Sequence, residues 1–94
     1  MDRDNHGFDE GLAELIYKFV EYKDSLPYDS PEAMKLVAKW QRFMTKNYYE
    51  CNDELLECLG KMYAGDDFAP KIDVFGKGTA EYMSKAILEY CSRK

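Results

Sequence analysis

Histidine and proline are scarce in this sequence, and its cysteines are not closely paired. Its 94 residues include one histidine, three prolines and three cysteines. The histidine, His6, lies in the polar, aperiodic opening "MDRDNHG". It is far in sequence from every cysteine, so a hydrolytic Cys–His site is not supported. Cys51, Cys58 and Cys91 form no C-x-x-C pair, which removes the usual framework of a structural zinc site. An odd count at wide spacing fits a reducing compartment better than a disulfide scaffold. No apolar run approaches the ~18 residues of a membrane span, and no apolar signal region follows Met1. The expectation is a soluble, cytoplasmic chain without membrane contact. A basic excess is lacking too. Thirteen Lys and Arg are scattered among eighteen acids, for a net charge of −5 and a pI near 4.8. Phosphate neutralisation supplies much of a DNA-binding domain's affinity. Direct nucleic-acid binding and a polyanionic substrate are therefore both disfavoured.

What the chain does have is aromatic surface: eight Tyr, five Phe and one Trp, with five Met. Tyr and Trp combine an apolar body with a polar tip, and Met adapts its shape. That mix suits a pocket for an apolar ligand with a few polar groups. It also suits an aromatic-rich core, the reading that composition alone favours.

Helical periodicity accounts for most of the chain, and no segment sustains strand alternation. The class expected is all-α, with about four main helices and a short turn segment, in one domain over residues 8–94. Residues 1–7 read as a disordered terminus or an expression remnant. The first helix is expected from about Asp9 to Lys23, with Leu12, Leu15, Ile16, Phe19 and Val20 on one stripe. Pro27 and Pro31 break the chain after it. Ser30 is an N-cap and Pro31 a first helical residue, so the second helix starts there and runs to Lys46 or Asn47. Its inward face is read as Ala33, Leu36, Val37, Trp40, Phe43 and Met44. The third helix, capped by Cys51 or Asn52, ends near Tyr63 and Ala64 at "AGDD". "FAPKID" reads as irregular or a single turn. The last helix starts between Asp73 and Gly78 and reaches about Cys91, with Phe75, Thr79, Tyr82, Met83, Ala86, Ile87 and Tyr90 on its apolar face.

The two cysteines of "NYYECNDELLECLGKMY" pose the chemical question. Seven helical residues would separate them by ~10 Å, beyond the ~7 Å a disulfide tolerates. As a packing residue, Cys58 would be half-buried against the second or last helix. As a nucleophile, Cys51 has the helix N-terminus in its favour, while Glu50, Asp53 and Glu54 work against it. Residue chemistry alone leaves both thiols open.

That stretch, followed by "FAPKID" and "GKGTAEYMSKAILEY", resembles the TipAS domain, the antibiotic-recognition domain of MerR-family transcription activators. The resemblance rests on an N-x-Y-[DE]-C start, a CLGxMY run, a Lys-Ile-Asp step and a G-x/L-A-x-[YF]-[LM]-x-x-A-I close. It extends back through "SPEAMKLVAKW" and covers about residues 8–91. Thr79 stands where the family usually has Leu, and Phe8 is the one match to an aromatic near the first helix. The resemblance implies a small globin-like helical fold without haem or other cofactor. It implies an interhelical cleft for thiopeptide antibiotics or similar large apolar compounds. It also implies covalent attachment, since Cys58 matches the thiol that adds to a dehydroalanine of the ligand, and Cys51 matches the other cysteine of the motif. Proximity in the cleft then stands in for a low thiol pKa.

Inward-facing, adaptable side chains expected to line that cleft are Trp40, Phe43, Met44, Tyr49, Cys51, Leu55, Met62 and Phe75. DNA contact and dimerisation would belong to a helix-turn-helix and a coiled coil that this stretch lacks. The chain would then be a sensor domain or, alternatively, a standalone drug-sequestering resistance protein. It would not be an enzyme, because capture of one ligand is not turnover. The first helix resembles the family least and precedes a proline-rich joint, so it is expected to detach at modest cost when ligand state changes.

Overall fold

The computed structural model describes residues 10–48 and 50–93, and the helices among them begin and end on local signals. The expected 1–7 terminus, His6, Phe8 and Tyr49 lie outside the described residues. α1 spans Glu10–Ser25 and α2 spans Pro31–Asn47. Between them the chain turns through Pro27, and the Ser30 Oγ accepts from the Ala33 amide at 3.2 Å to cap α2. α1 runs two residues past the expected Lys23. The Leu26 amide still finds the Tyr22 carbonyl at 2.6 Å, so only Pro27 stops the helix. α3 spans Asp53–Tyr63, capped by Asn52, whose Oδ1 accepts from the Leu55 amide at 2.9 Å. α4 is the single turn Ala69–Asp73, and α5 spans Thr79–Ser92. Among the described residues there is no strand.

α5 starts one residue beyond the expected window and without a side-chain cap of its own. Its N-cap, Gly78, sits at φ +86°, a conformation that favours glycine. The missing cap is supplied from α4, where the Asp73 Oδ1 accepts from the Ala80 amide at 3.0 Å. Phe75 therefore does not belong to the last helix, as its spacing suggested. It lies in the α4–α5 connection, half-buried, with its ring edge-to-face to Tyr17 at 5.1 Å.

α5 is the element on which the others converge. It packs against α1, α2, α4 and, most extensively, α3. Ile16, Phe19, Val37, Trp40, Leu56, Ile72, Met83 and Ile87 are fully or almost fully buried around it. A chain of edge-to-face aromatics threads this core. Tyr82 of α5 meets Phe19 of α1 (6.4 Å), Phe19 meets Trp40 of α2 (6.0 Å), Trp40 meets Tyr63 of α3 (5.9 Å), and Tyr63 meets Phe68 at the start of α4 (5.7 Å). Each such pair adds roughly 0.5–1.5 kcal/mol beyond its buried area.

The core corrects the expectation that α1 detaches at modest cost. Leu12, Leu15, Ile16 and Phe19 are all buried, and exposing them would cost about 1.5–3 kcal/mol each. That sum is comparable with the ~5–15 kcal/mol stability of a whole domain. The joint after α1 is also tied down. The Tyr82 hydroxyl donates to the Leu26 and Pro27 carbonyls, both at 3.1 Å.

Two stability predictions follow from these contacts. A Cβ at Gly60 would stand 2.7 Å from Ile87 Cγ2 at the tightest α3–α5 approach. Gly60→Ala should therefore destabilise the domain by roughly 1–3 kcal/mol despite the gain in helix propensity; a higher midpoint in urea would refute this. Burial, aided by Tyr22 and Asp29, pushes the Tyr82 hydroxyl from 10.0 up to about 12. A raised acid pKa favours the protonated form in the fold, so its contribution is complete below pH 10 and is lost as pH rises towards 12. Tyr82→Phe should lower stability by about 1 kcal/mol at pH 7 and flatten the alkaline decline. An unchanged pH 10–12 profile would show that Tyr82 does not govern it.

Candidate functional site

α3 carries two apolar stripes, and the fold buries one of them. Leu56, Leu59 and Tyr63, with Gly60, face the core. Leu55, Cys58 and Met62 recur at i, i+3 and i+7 and face outward, with Leu55 37% and Met62 42% exposed and the Cys58 thiol open to solvent. A surface helix needs one apolar stripe to hold it down. The second stripe is surplus to packing and is the kind of exposed apolar strip that marks a binding surface. Glu54, Glu57 and Lys61 border it, and the Glu57–Lys61 pair spans one turn at 3.8 Å. The expected half-buried Cys58, packed on the second or last helix, is thus corrected. The helix is rotated so that Leu56, Leu59 and Tyr63 take the inward places, and Cys58 falls on the other side.

Cys51 has the opposite environment. It is 2% exposed, one residue before the α3 cap. Its amide donates to Thr45 Oγ1 at 3.1 Å, and its carbonyl accepts from Gln41 Nε2 at 2.8 Å. Gln41 also donates to Asp53 Oδ1 at 3.0 Å, so α2 clamps the start of α3. Burial first, and the Asp53 carboxylate second, raise the Cys51 thiol pKa from 9.0. These effects outweigh the helix N-terminus that made Cys51 attractive as a thiolate. Cys91 is half-buried, with its Sγ 3.7 Å from the Asp53 carbonyl. No disulfide joins any two of the three cysteines.

The remaining cleft candidates do not converge on one lining. Trp40 and Met44 are core residues rather than cleft walls, and the Trp40 ring packs between Phe19 of α1 and Tyr63 of α3. Phe43 is half-buried and stacks at a tilt on the exposed Tyr48, ring centroids 6.2 Å apart. Phe75 pairs with Tyr17, as described. Leu55, Cys58 and Met62 are the three that the fold brings together on one accessible face. Their arrangement had a signal in the sequence: the six apolar positions of α3 span an arc wider than one buried face requires. Sequence reasoning did not single out the Trp40 indole N–H. It is buried and has no hydrogen-bond partner among the described residues, and its ring lies edge-to-face with those of Phe19 and Tyr63.

Comparison with known proteins bears on this face. The family model of the TipAS antibiotic-recognition domain matches residues 2–90. The chain is 39% identical over 77 residues to the HTH-type transcriptional activator TipA of Streptomyces coelicolor, covering 80% of this chain and 30% of the relative. It is 25% identical over 80 residues to the HTH-type transcriptional activator mta of Bacillus subtilis, covering 84% of this chain and 31% of the relative. Among solved structures it is similar to TipAS of Streptomyces lividans in complex with nosiheptide. The TM-score is 0.78 at 38% identity, over 85% of this chain and 57% of that chain. The all-α, globin-like fold is the one expected. The chain spans just under a third of the length of the curated relatives it matches.

The contrast between the thiols is measurable. In native protein, Ellman's reagent should modify Cys58 fastest, with that fast phase absent from Cys58→Ala, while Cys51 should react only after denaturation. Fast modification of Cys51 in the folded state would contradict the buried environment described.

Proposed function

The chain belongs to the TipAS antibiotic-recognition domain family, and we propose from that premise that it is the ligand-sensing domain of a MerR-family transcription activator. The ligand class is a thiopeptide or a comparably large apolar antibiotic, in line with the nosiheptide complex of the similar structure. The observation that supports this reading best is the exposed thiol of Cys58 between the exposed side chains of Leu55 and Met62. An apolar ligand resting on the two flanking side chains holds its alkene beside sulfur, and that proximity accelerates addition.

The step balances without oxidant or reductant. The Cys58 sulfur attacks the β-carbon of a dehydroalanine, a C–S bond forms and the C=C π bond breaks. The proton lost by the thiol is replaced by one taken up at the α-carbon. The product is a thioether, one per domain, so the chain captures rather than turns over its ligand. Cys51 supports the site by holding α3 through its backbone and does not react. Phe43, Leu55, Met62 and Phe75 are candidates for ligand contact. Trp40 and Met44 shape the site from the core beneath.

We assign DNA contact to a helix-turn-helix segment outside these residues, in line with the HTH-type activators that the chain resembles, and dimerisation likewise to another part of the activator. A domain of net charge −5 is itself repelled by a phosphate backbone. No described helix is long and apolar enough to cross a membrane, and a cytoplasmic location fits a regulator of transcription.

Intact-mass measurement after incubation with nosiheptide or thiostrepton tests the assignment. The expected result is a mass gain of one ligand in wild type and Cys51→Ala, with loss of the adduct and retention of reversible binding in Cys58→Ala. An adduct that persists in Cys58→Ala and disappears in Cys51→Ala would reverse the roles of the two thiols.

A further inference from the structure

The outward side of α2 is a second unassigned surface. Lys35, Lys39, Arg42 and Lys46 are exposed and follow one another at steps of four, three and four residues. They therefore form one stripe, about 16 Å long at ~1.5 Å per residue. Among the described residues none of the four is ion-paired; the pairs present are Lys23–Asp24, Glu57–Lys61, Glu81–Lys85 and Glu89–Arg93. Glu32 is the one acid in α2. Four cations and one anion make the helix net +3, which leaves −8 on the rest of a chain whose total is −5. The cations that looked scattered in sequence are thus partly gathered on one face. Like charges one turn apart weaken a helix, so the stripe does not serve α2 itself. Beside it, between α1 and α2, lies a depression of about 410 Å³. Tyr22, Leu36 and Ala38 supply its apolar lining, Lys35, Lys39 and Arg42 the cations of its rim, and Glu32, at the N-terminal end of the stripe, its one acid.

We propose that this face docks an acidic amphipathic helix of a partner protein. Carboxylates one turn apart on the partner match the spacing of the four cations, and an apolar side chain beside them fills the depression over Leu36 and Ala38. This mode is the laying of an amphipathic helix into a groove. A duplex is the poorer match. It is long and uniformly negative, so it brings phosphates to within a Debye length, ~8 Å, of the surrounding acidic surface. A short helix covers the stripe alone. The inference uses no residue of the thiol face on α3 and does not depend on the ligand reading.

The test is an amide chemical-shift titration of the whole chain with defined probes. The first is a helical peptide of about 18 residues, long enough to cover the stripe, with Glu at i, i+4, i+7 and i+11 and Leu on the adjoining positions. The second has the same sequence with Lys for Glu, the third replaces Leu by Ser, and the fourth is a duplex DNA of similar length. The expected result is saturable shifts confined to residues 32–46 and to the neighbourhood of Tyr22 with the first peptide only, weakened by salt. Lys39→Glu with Arg42→Glu should reduce its affinity by about tenfold or more and transfer binding to the Lys peptide. All these side chains are exposed, so the fold is retained. Shifts that lie elsewhere, no response to the charge reversal, equal binding by the Ser peptide, or tighter binding by the duplex would each overturn the proposal.

Discussion

Trp40 is the residue on which the rest of this structure depends. It is the central link of the edge-to-face chain from Tyr82 through Phe19, Trp40 and Tyr63 to Phe68. Each of the five rings comes from a different helix or helix start, so one continuous aromatic thread connects every element of a small domain. A chain this short buries a limited fraction of its surface, and large rings supply more buried area per residue than aliphatic side chains. Trp40 accepts a cost for this position, since its buried N–H has no acceptor among the described residues and forfeits part of its hydration energy.

The orientation of α3 follows from this core. Tyr63 is fixed against Trp40 and Phe68, and Gly60 allows the backbone to close on Ile87. Once those contacts set the helix rotation, Leu55, Cys58 and Met62 fall on the exposed side of α3. The exposure of this face is therefore a consequence of how the core is satisfied. The same contacts separate the two thiols of the motif. Cys51 is drawn under α2 by Gln41 and Thr45 and held protonated, while Cys58 is presented to solvent. A site that relies on proximity needs accessibility more than it needs a low thiol pKa.

Charge divides the molecule in a way that its total conceals. The acidic balance disfavours DNA, yet α2 alone is positive and carries its cations in one line. The exposed thiol face on α3 and the basic face on α2 share no side chain, but both helices meet at Gln41, whose amide bonds the Cys51 carbonyl and the Asp53 carboxylate. Together with Thr45, whose Oγ1 accepts from the Cys51 amide, that clamp ties the start of α3 to α2. α1 lies against the same core through Ile16 and Phe19, so it acts as part of the frame that orients both.

The sequence by itself determined the helices. Their ends rest on interactions within a few residues, such as Ser30 with Ala33, Asn52 with Leu55, and the prolines at 27 and 31. Their type rests on a periodicity that any reader of the chain can count. The family was legible for the same reason, because its motif is a run of neighbours. What only the tertiary structure decided was the direction of each face. Periodicity shows that α3 has two apolar stripes but not which one meets α5, and it grouped Trp40 and Met44 with cleft residues when they belong to the core. It also placed Phe75 on the last helix, because the cap from Asp73 to Ala80 spans two elements. Burial is set by side chains distant in sequence, so a residue's own spacing cannot reveal whether it ends in the core, as Cys51 does, or in solvent, as Cys58 does.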